Sequence, residues 1–189
     1  MRQALVRFLV ALAHRPSSFA KKLGWIALGM GTFLFLSPWL LGKGVRALRQ
    51  GLAPFVGVIE GAVGILGLGA GLSIVGWVIA VQWRLGAGTP MPAAPTQRVV
   101  TSGPYALCRH PMYFAAVLYH LGFVTMTSGL GPGVAAAGGV AAFVVFYART
   151  VEERELEARF GEEYRAYRAR TPFLFPRGKD LWEVLRRVF

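Results

Sequence analysis

GLAPFVGVIEGAVGILGLGAGLSIVGWVIAVQW, residues 51–83, carries one charged side chain, Glu60, near its start and none after it. About twenty apolar residues cross the hydrocarbon core of a bilayer. The stretch is too short for two full crossings and a turn, so it reads as one span, about 60–83, with a lead-in from Leu52. Glycines at 57, 61, 64, 67, 71 and 76 fall three to five residues apart. Small residues at that spacing let helix backbones approach closely in lipid. A charge at mid-span costs roughly 2.5–3.5 kcal/mol and less near an end. Glu60 therefore reads as a structural edge residue.

Other apolar runs flank this one. Leu23–Gly42 is uncharged, is bracketed by Lys21, Lys22 and Lys43, and has Pro38 to kink its far end. Two more runs, 111–128 and 132–148, are separated by SGLGPG. So short a link joins antiparallel neighbours, which predicts a helical hairpin. Pro111 and Pro132 open the two runs, as proline favours the first helical position. Between the second and third runs, 84–109 is proline-rich, polar and loop-like. Residues 1–20 predict an interfacial helix, with Leu5, Phe8, Leu9 and Leu12 on one face and Arg2, Arg7 and Arg15 able to reach headgroups.

Composition shifts sharply at Arg149. Eight of the nine acids and ten of the 21 basic residues lie from there on. RTVEERELEARFGEEYRAYRAR predicts an amphipathic helix with Leu156, Phe160, Tyr164 and Tyr167 as its apolar stripe and Gly161 as a weak point. TPFLFP follows, and LWEVLRRVF reads as a further interfacial helix. The expectation is an all-α integral membrane protein of about four transmembrane helices, with a C-terminal hairpin and an amphipathic tail helix. It forms one domain: N-terminal spans and loop in 1–97, a core in 98–176 and an interfacial tail in 177–189.

Hydrophobic residues make up 54% of the chain and the net charge is +12. Every Lys and Arg lies outside the apolar runs or at their ends, which suits anionic headgroups, and no nucleic-acid-binding motif accompanies the charge. The single cysteine, Cys108, excludes an intramolecular disulfide and a multi-cysteine zinc site; no metal site is expected. Four spans with both termini cytoplasmic put five basic residues before the first span, three in the 84–109 loop and ten after 148 on the inner side, against Lys43, Arg46 and Arg49 outside. That follows the positive-inside rule. It predicts a multi-pass protein, of the inner membrane in a bacterium, with loop 84–109 and the charged tail on one side.

The polar residues at that side carry the chemistry. A helix starting at Pro111 directs its free N–H groups and partial positive charge at the loop. Arg109 adds a full charge suited to the carboxylate of an amino-acid-like ligand or to a phosphate, His110 donates or accepts, and Tyr113 lies in the first turn. Arginine and histidine also snorkel to headgroups beside a span. Glu152 and Glu153 form the second group, suited to an ammonium or to ribose hydroxyls. The spacing equally allows helix pairs, Arg149 to Glu153 and Glu155 to Arg159.

GPYALCRHPMYFA, followed by EERELEARFGEEYRAYRARTPFLFP, resembles the isoprenylcysteine carboxyl methyltransferase and phospholipid methyltransferase family of integral membrane proteins over about residues 98–176. The shared pattern is G-x-Y, R-H-P-x-Y, a hairpin, E-E-x-x-L, F-G-x-x-Y-x-x-Y and P-x-x-x-P. Ala106-Leu107-Cys108 departs from it, where many relatives carry a basic or aromatic residue. The resemblance implies a methyltransferase using S-adenosylmethionine (AdoMet). It implies a cofactor pocket of Tyr105, Arg109, His110, Pro111, Tyr113, Glu152 and Glu153 under the tail helix, with Arg109 and Glu153 as catalytic residues. The acceptor would be lipophilic and membrane-delivered: an isoprenylcysteine-like carboxylate, a phospholipid amine or a thiol. Membrane lipids are the other expected partners, and nucleic acid is not. An NADPH-dependent reductase of the sterol-reductase kind and a non-catalytic membrane adaptor are the alternatives.

Overall fold

A computed structural model describes residues 2–13, 19–37, 39, 40, 57–89 and 95–176. The described residues are helical, apart from loops and one isolated bridge between Thr89 and Pro95. The helices are α1 (Arg2–Ala13), α2 (Phe19–Gly31), α3 (Gly57–Leu85), the single turn α4 (Pro104–Leu107), α5 (Pro111–Ser128), α6 (Leu130–Tyr147) and α7 (Glu153–Arg170). A π-helical turn, Thr32–Leu36, continues α2, and another, Ala148–Glu152, joins α6 to α7. The far end of the first predicted span, its Pro38 kink, the basic residues at 43, 46 and 49, the lead-in from Leu52 and the tail helix over 177–189 lie outside the described residues.

Among the described residues, two helices are long and apolar enough to cross a membrane: α3, and the continuous Leu130–Arg170 helix whose apolar half is α6. Only 28% and 22% of their apolar windows are buried within the protein. A soluble core helix would be mostly covered. Here Ile65, Leu66, Val134, Phe143 and Phe146 point outward, more than half exposed, as lipid-facing side chains do.

Helix α5 lies between these two and packs against both. Its seam with α3 is built from glycine. A Cβ added at Gly122 would lie 2.1 Å from the Leu68 nitrogen, and one at Gly71 would lie 2.7 Å from the Tyr119 nitrogen. Backbones this close replace side-chain interdigitation with direct main-chain contact. Glycines 57, 61, 69 and 76 face open space, so part of the series serves the seam.

The hairpin is tighter than its sequence suggests. α5 ends at Ser128 and α6 begins at Leu130, with only Gly129 (φ 98°) between them. Pro132 thus sits inside the first turn rather than opening the helix. The Glu60 carboxylate accepts the Leu130 N–H at 2.6 Å, supplying from another helix the acceptor and negative charge a helix start favours. The buried His120 of α5 ties in α2: Nδ1–H donates to the Ala116 carbonyl at 2.8 Å, and Nε2 lies 2.8 Å from the Ser37 hydroxyl.

Candidate active site

Positioning begins with backbone that only glycine tolerates. Gly103 adopts φ 61°, ψ −131°, a region L-residues avoid, and turns the chain into α4. α4 presents Tyr105 inward, where the Gln82 side-chain amide donates to its hydroxyl and its own carbonyl accepts the Tyr167 hydroxyl at 2.8 Å. The next residues are strapped from outside by TPFLFP. The Pro172 carbonyl accepts the Arg109 N–H at 2.8 Å, and the Phe173 carbonyl accepts that of His110 at 3.2 Å. The Phe173 ring packs edge-on against His110 and takes the Arg109 and Arg149 guanidiniums over its face. His110 then caps α5, and Pro111 opens it.

The acidic pair divides across the π-helical turn. Glu152 closes that turn and Glu153 begins α7. Glu153 Oε1 receives Arg109 Nε at 2.9 Å and Nη2 at 2.8 Å, with both side chains about nine-tenths buried. Arg109 Nη1 donates to the Arg168 carbonyl at 2.9 Å and to the Thr171 carbonyl at 2.7 Å, closing the end of α7. All three guanidinium nitrogens are thus engaged within the protein. His110 sits between the two acids, Nδ1 at 3.5 Å from Glu152 Oε2 and Nε2 at 3.4 Å from Glu153 Oε1. Burial opposes charge on the ring, but the carboxylates of Glu152 and Glu153 outweigh it and raise its pKa to about 9. Burial likewise works against Glu153, yet His110 and Arg109 hold its carboxyl down at about 2. Around neutral pH the cluster is an imidazolium and a guanidinium facing two carboxylates. Cys108 is 1% exposed, and burial pushes its thiol up to about 12, so it is a filler rather than a nucleophile.

A cavity of about 150 Å³ lies against this cluster. Tyr105, Arg109, His110, Pro111, Tyr113 and Glu152 line it; Glu153 stands behind Arg109 and His110 and does not. Its walls come from four directions: Gln82 at the end of α3, the 95–100 loop, the start of α5, and Tyr147 through Tyr167 of α6 and α7. Gly161 (φ 54°, ψ −123°) bends α7, so that Leu156 and Phe160 before it and Tyr164 and Tyr167 after it all reach the same space. The loop is stitched to α7 through Arg159, which donates to the Thr96 carbonyl and pairs with Glu155 at 2.8 Å.

Four buried side-chain polar atoms among the described residues have no hydrogen-bond partner. Three of them belong to cavity-lining residues: Gln82 Oε1, Tyr164 Oη and Glu152 Oε2, the last lying 3.5 Å from His110 Nδ1 as an ion pair. Buried polar groups are nearly always satisfied, and each exception calls for an explanation such as strain, a catalytic role or a bound water or ion. Arg98 also lines the cavity and has no ion-pair partner among the described residues. Sequence reasoning placed Tyr164 and Tyr167 in an apolar stripe and assigned nothing to Gln82 or Arg98. The F-G-x-x-Y-x-x-Y spacing was the available signal for the tyrosines. For Gln82 it was an amide at the inner end of an otherwise apolar span.

The fold and site define a helical membrane protein with a polar, aromatic-lined cavity at one end of its spans. The phospholipid methyltransferase family profile matches residues 62–163, more than half of the chain, and the chain belongs to that family. It is 35% identical to the cobalt-zinc-cadmium resistance protein CzcN of Cupriavidus metallidurans over 120 residues, 60% of this chain and 54% of that protein. It is 31% identical to the nickel-cobalt-cadmium resistance protein NccN of Alcaligenes xylosoxydans xylosoxydans over 107 residues, covering 49% of it. Against the protein-S-isoprenylcysteine O-methyltransferase of Mus musculus identity is 42% over 82 residues, 43% of this chain and 28% of that enzyme. The match thus spans about half of the two resistance proteins and under a third of the mouse enzyme. No solved structure matches.

Proposed function

We propose that the protein is an integral membrane methyltransferase that binds AdoMet in the cavity beside His110 and transfers its methyl group to a lipophilic acceptor. The observation that carries the reading is the convergence on one aromatic-lined space of two buried oxygens without a hydrogen-bond partner, Gln82 Oε1 from α3 and Tyr164 Oη from α7, with the Glu152 carboxylate of the π-helical turn. AdoMet fits this donor set. Its ammonium, ribose hydroxyls and adenine amine are donors for Glu152, Gln82 and Tyr164. Its carboxylate suits Arg98, because the Arg109 guanidinium is engaged within the protein. A cationic sulfonium is favoured among tyrosine faces. When bound, AdoMet supplies an already activated methyl group.

The chain's own contribution is alignment, which can supply roughly 7–11 kcal/mol of a barrier. Tyr105, His110, Pro111, Tyr113 and Glu152 form the binding wall. Arg109 and Glu153, read from sequence as catalytic, act in this proposal as the brace that holds His110 and closes α7. An imidazolium between two carboxylates donates hydrogen bonds and does not serve as a base. This favours acceptors that arrive as anions, such as an isoprenylcysteine-like carboxylate or a thiolate, over a phospholipid amine that must shed a proton. The similarity to the mouse isoprenylcysteine O-methyltransferase supports an oxygen acceptor of the carboxylate class.

The proposed topology has four crossings, about α2, α3, α5 and α6, with both termini cytoplasmic. The core spans 98–176, and α7 forms the cytoplasmic cover of the cavity. The reading is tested by titrating purified protein in nanodiscs with labelled AdoMet and, separately, NADPH. Saturable binding of AdoMet alone is expected, weakened about tenfold or more by Glu152→Gln. Saturable NADPH binding with none of AdoMet would establish the reductase alternative. Binding of neither would leave the adaptor.

A further inference from the structure

A second, open depression lies between α1 and α7, away from the cavity described above, and Gln3, Arg7 and Arg154 at its rim are solvent-exposed. It is lined by Gln3, Val6 and Arg7 of α1 and by Arg154 of α7. Residues 3, 6 and 7 share one helix face, and that face packs toward α7. Leu5 and Phe8, on the other side of α1, are 41% and 62% exposed, so α1 is an amphipathic helix with its apolar side turned away from α7.

The two arginines face the depression without an acid. Neither has an ion-pair partner among the described residues. The acids beside Arg154 in sequence are committed elsewhere: Glu153 to Arg109 and His110, and Glu155 to Arg159. Glu157, one turn further along α7, pairs with Arg165 and Arg168. Arg7 and Arg154 are both solvent-exposed at this depression, and no acid among the described residues pairs with either. Guanidiniums are planar forks that match phosphate geometry in pairs. The Gln3 amide adds neutral hydrogen-bonding capacity at the same place.

We infer that Arg7 and Arg154, with Gln3, form a seat for a phosphate-bearing anion that fastens α1 onto the first turns of α7. The surroundings favour a lipid headgroup as the source. The exposed apolar side of α1 places it at the bilayer surface, where anionic lipid concentrates basic side chains at about 1 kcal/mol each. Because α7 also walls the larger cavity, the seat would link the charge of the surrounding lipid to the helix that covers that cavity.

The test uses the full-length protein in neutral detergent, titrated with phosphatidylglycerol, phosphatidylcholine or inorganic phosphate. Native mass spectrometry reads retained lipid and a thermal melt reads stabilisation. Wild type should retain phosphatidylglycerol over phosphatidylcholine and melt higher with it. Arg7→Gln and Arg154→Gln should each weaken that retention roughly fivefold. Arg154→Glu sets a carboxylate against Arg7. It should abolish the phosphatidylglycerol shift while leaving the lipid-free melting temperature equal to wild type or higher, which a merely structural arginine would not do. Inorganic phosphate giving the whole shift would assign the seat to a soluble anion. Equal retention of the two lipids, or an undiminished shift in the double variant Arg7→Gln/Arg154→Gln with no response to phosphate, would overturn the inference.

Discussion

Glu152 and Glu153 are neighbours in sequence with opposite surroundings, and their substitutions should separate. Glu153 is enclosed by Arg109 and His110, so Glu153→Ala leaves a buried guanidinium short of its carboxylate. Breaking a buried pair from one side costs roughly 3–5 kcal/mol. Glu153→Ala should therefore lower the melting temperature in detergent clearly, whereas Glu152→Gln should leave it near wild type and act on ligand binding. The same cluster sets a pH dependence. His110 has a folded pKa of about 9, above its unfolded value of about 6.5. Its contribution is complete below pH 6.5 and is lost as pH rises through 9. Glu153, held at about 2, contributes fully above about pH 4.5 and loses that contribution as pH falls toward 2. Wild type should lose melting temperature from pH 6.5 to 9.5 relative to His110→Asn; parallel curves would refute a charged His110. The R-H-P and E-E motifs were legible as one candidate cluster, which the structure brings into contact, but the individual partners were not. Spacing allowed an Arg149–Glu153 helix pair, yet Arg149 lies over the Phe173 ring and Glu153 turns to Arg109, because a π-helical turn with no local sequence signature resets the register just before it.

At the scale of elements, runs of apolar residues and their charged borders located α3, α5 and α6 closely. The contacts between them were less readable, since a glycine's role depends on what lies opposite. Gly122 and Gly71 carry the α3–α5 seam, while Gly69 and Gly76 meet nothing within 4 Å. Gly122→Ala places a methyl 2.1 Å from the Leu68 nitrogen, so the helices must separate. Reduced yield of folded protein and a lower melting temperature are expected, whereas Gly76→Ala should be close to neutral. Gly161 is a different case. No heavy atom lies within 4 Å of an added Cβ, but φ is 54°. Gly161→Ala should cost about 1–3 kcal/mol through backbone strain alone. If α7 straightens to relieve it, Tyr164 and Tyr167 move relative to Leu156 and Phe160. Ligand affinity should then fall even where the folded yield is normal. A variant that melts and binds like wild type would show that the bend is not needed.

For the whole molecule, the arrangement works only if loop 95–100, the start of α5 and helix α7 lie at one membrane face, since the cavity is made from all three. The proposed topology, drawn from charge asymmetry in the sequence, puts that face in the cytoplasm and is testable with single cysteines. Cys108 is the only native cysteine and is buried, so Cys108→Ala gives a silent background. Gln97→Cys and Arg168→Cys place thiols at exposed positions on the loop and on α7. A membrane-impermeant maleimide should leave both unlabelled in intact cells and label both after permeabilisation. Lys43→Cys, between the first two proposed spans, should show the reverse. The two inner positions must agree with each other whatever the absolute orientation, because the loop and the helix that carry them wall one cavity. Joint labelling from outside would invert the topology and leave the site standing. Labelling of one from each side would separate α7 from the loop by a bilayer and remove the pocket on which the proposed chemistry depends.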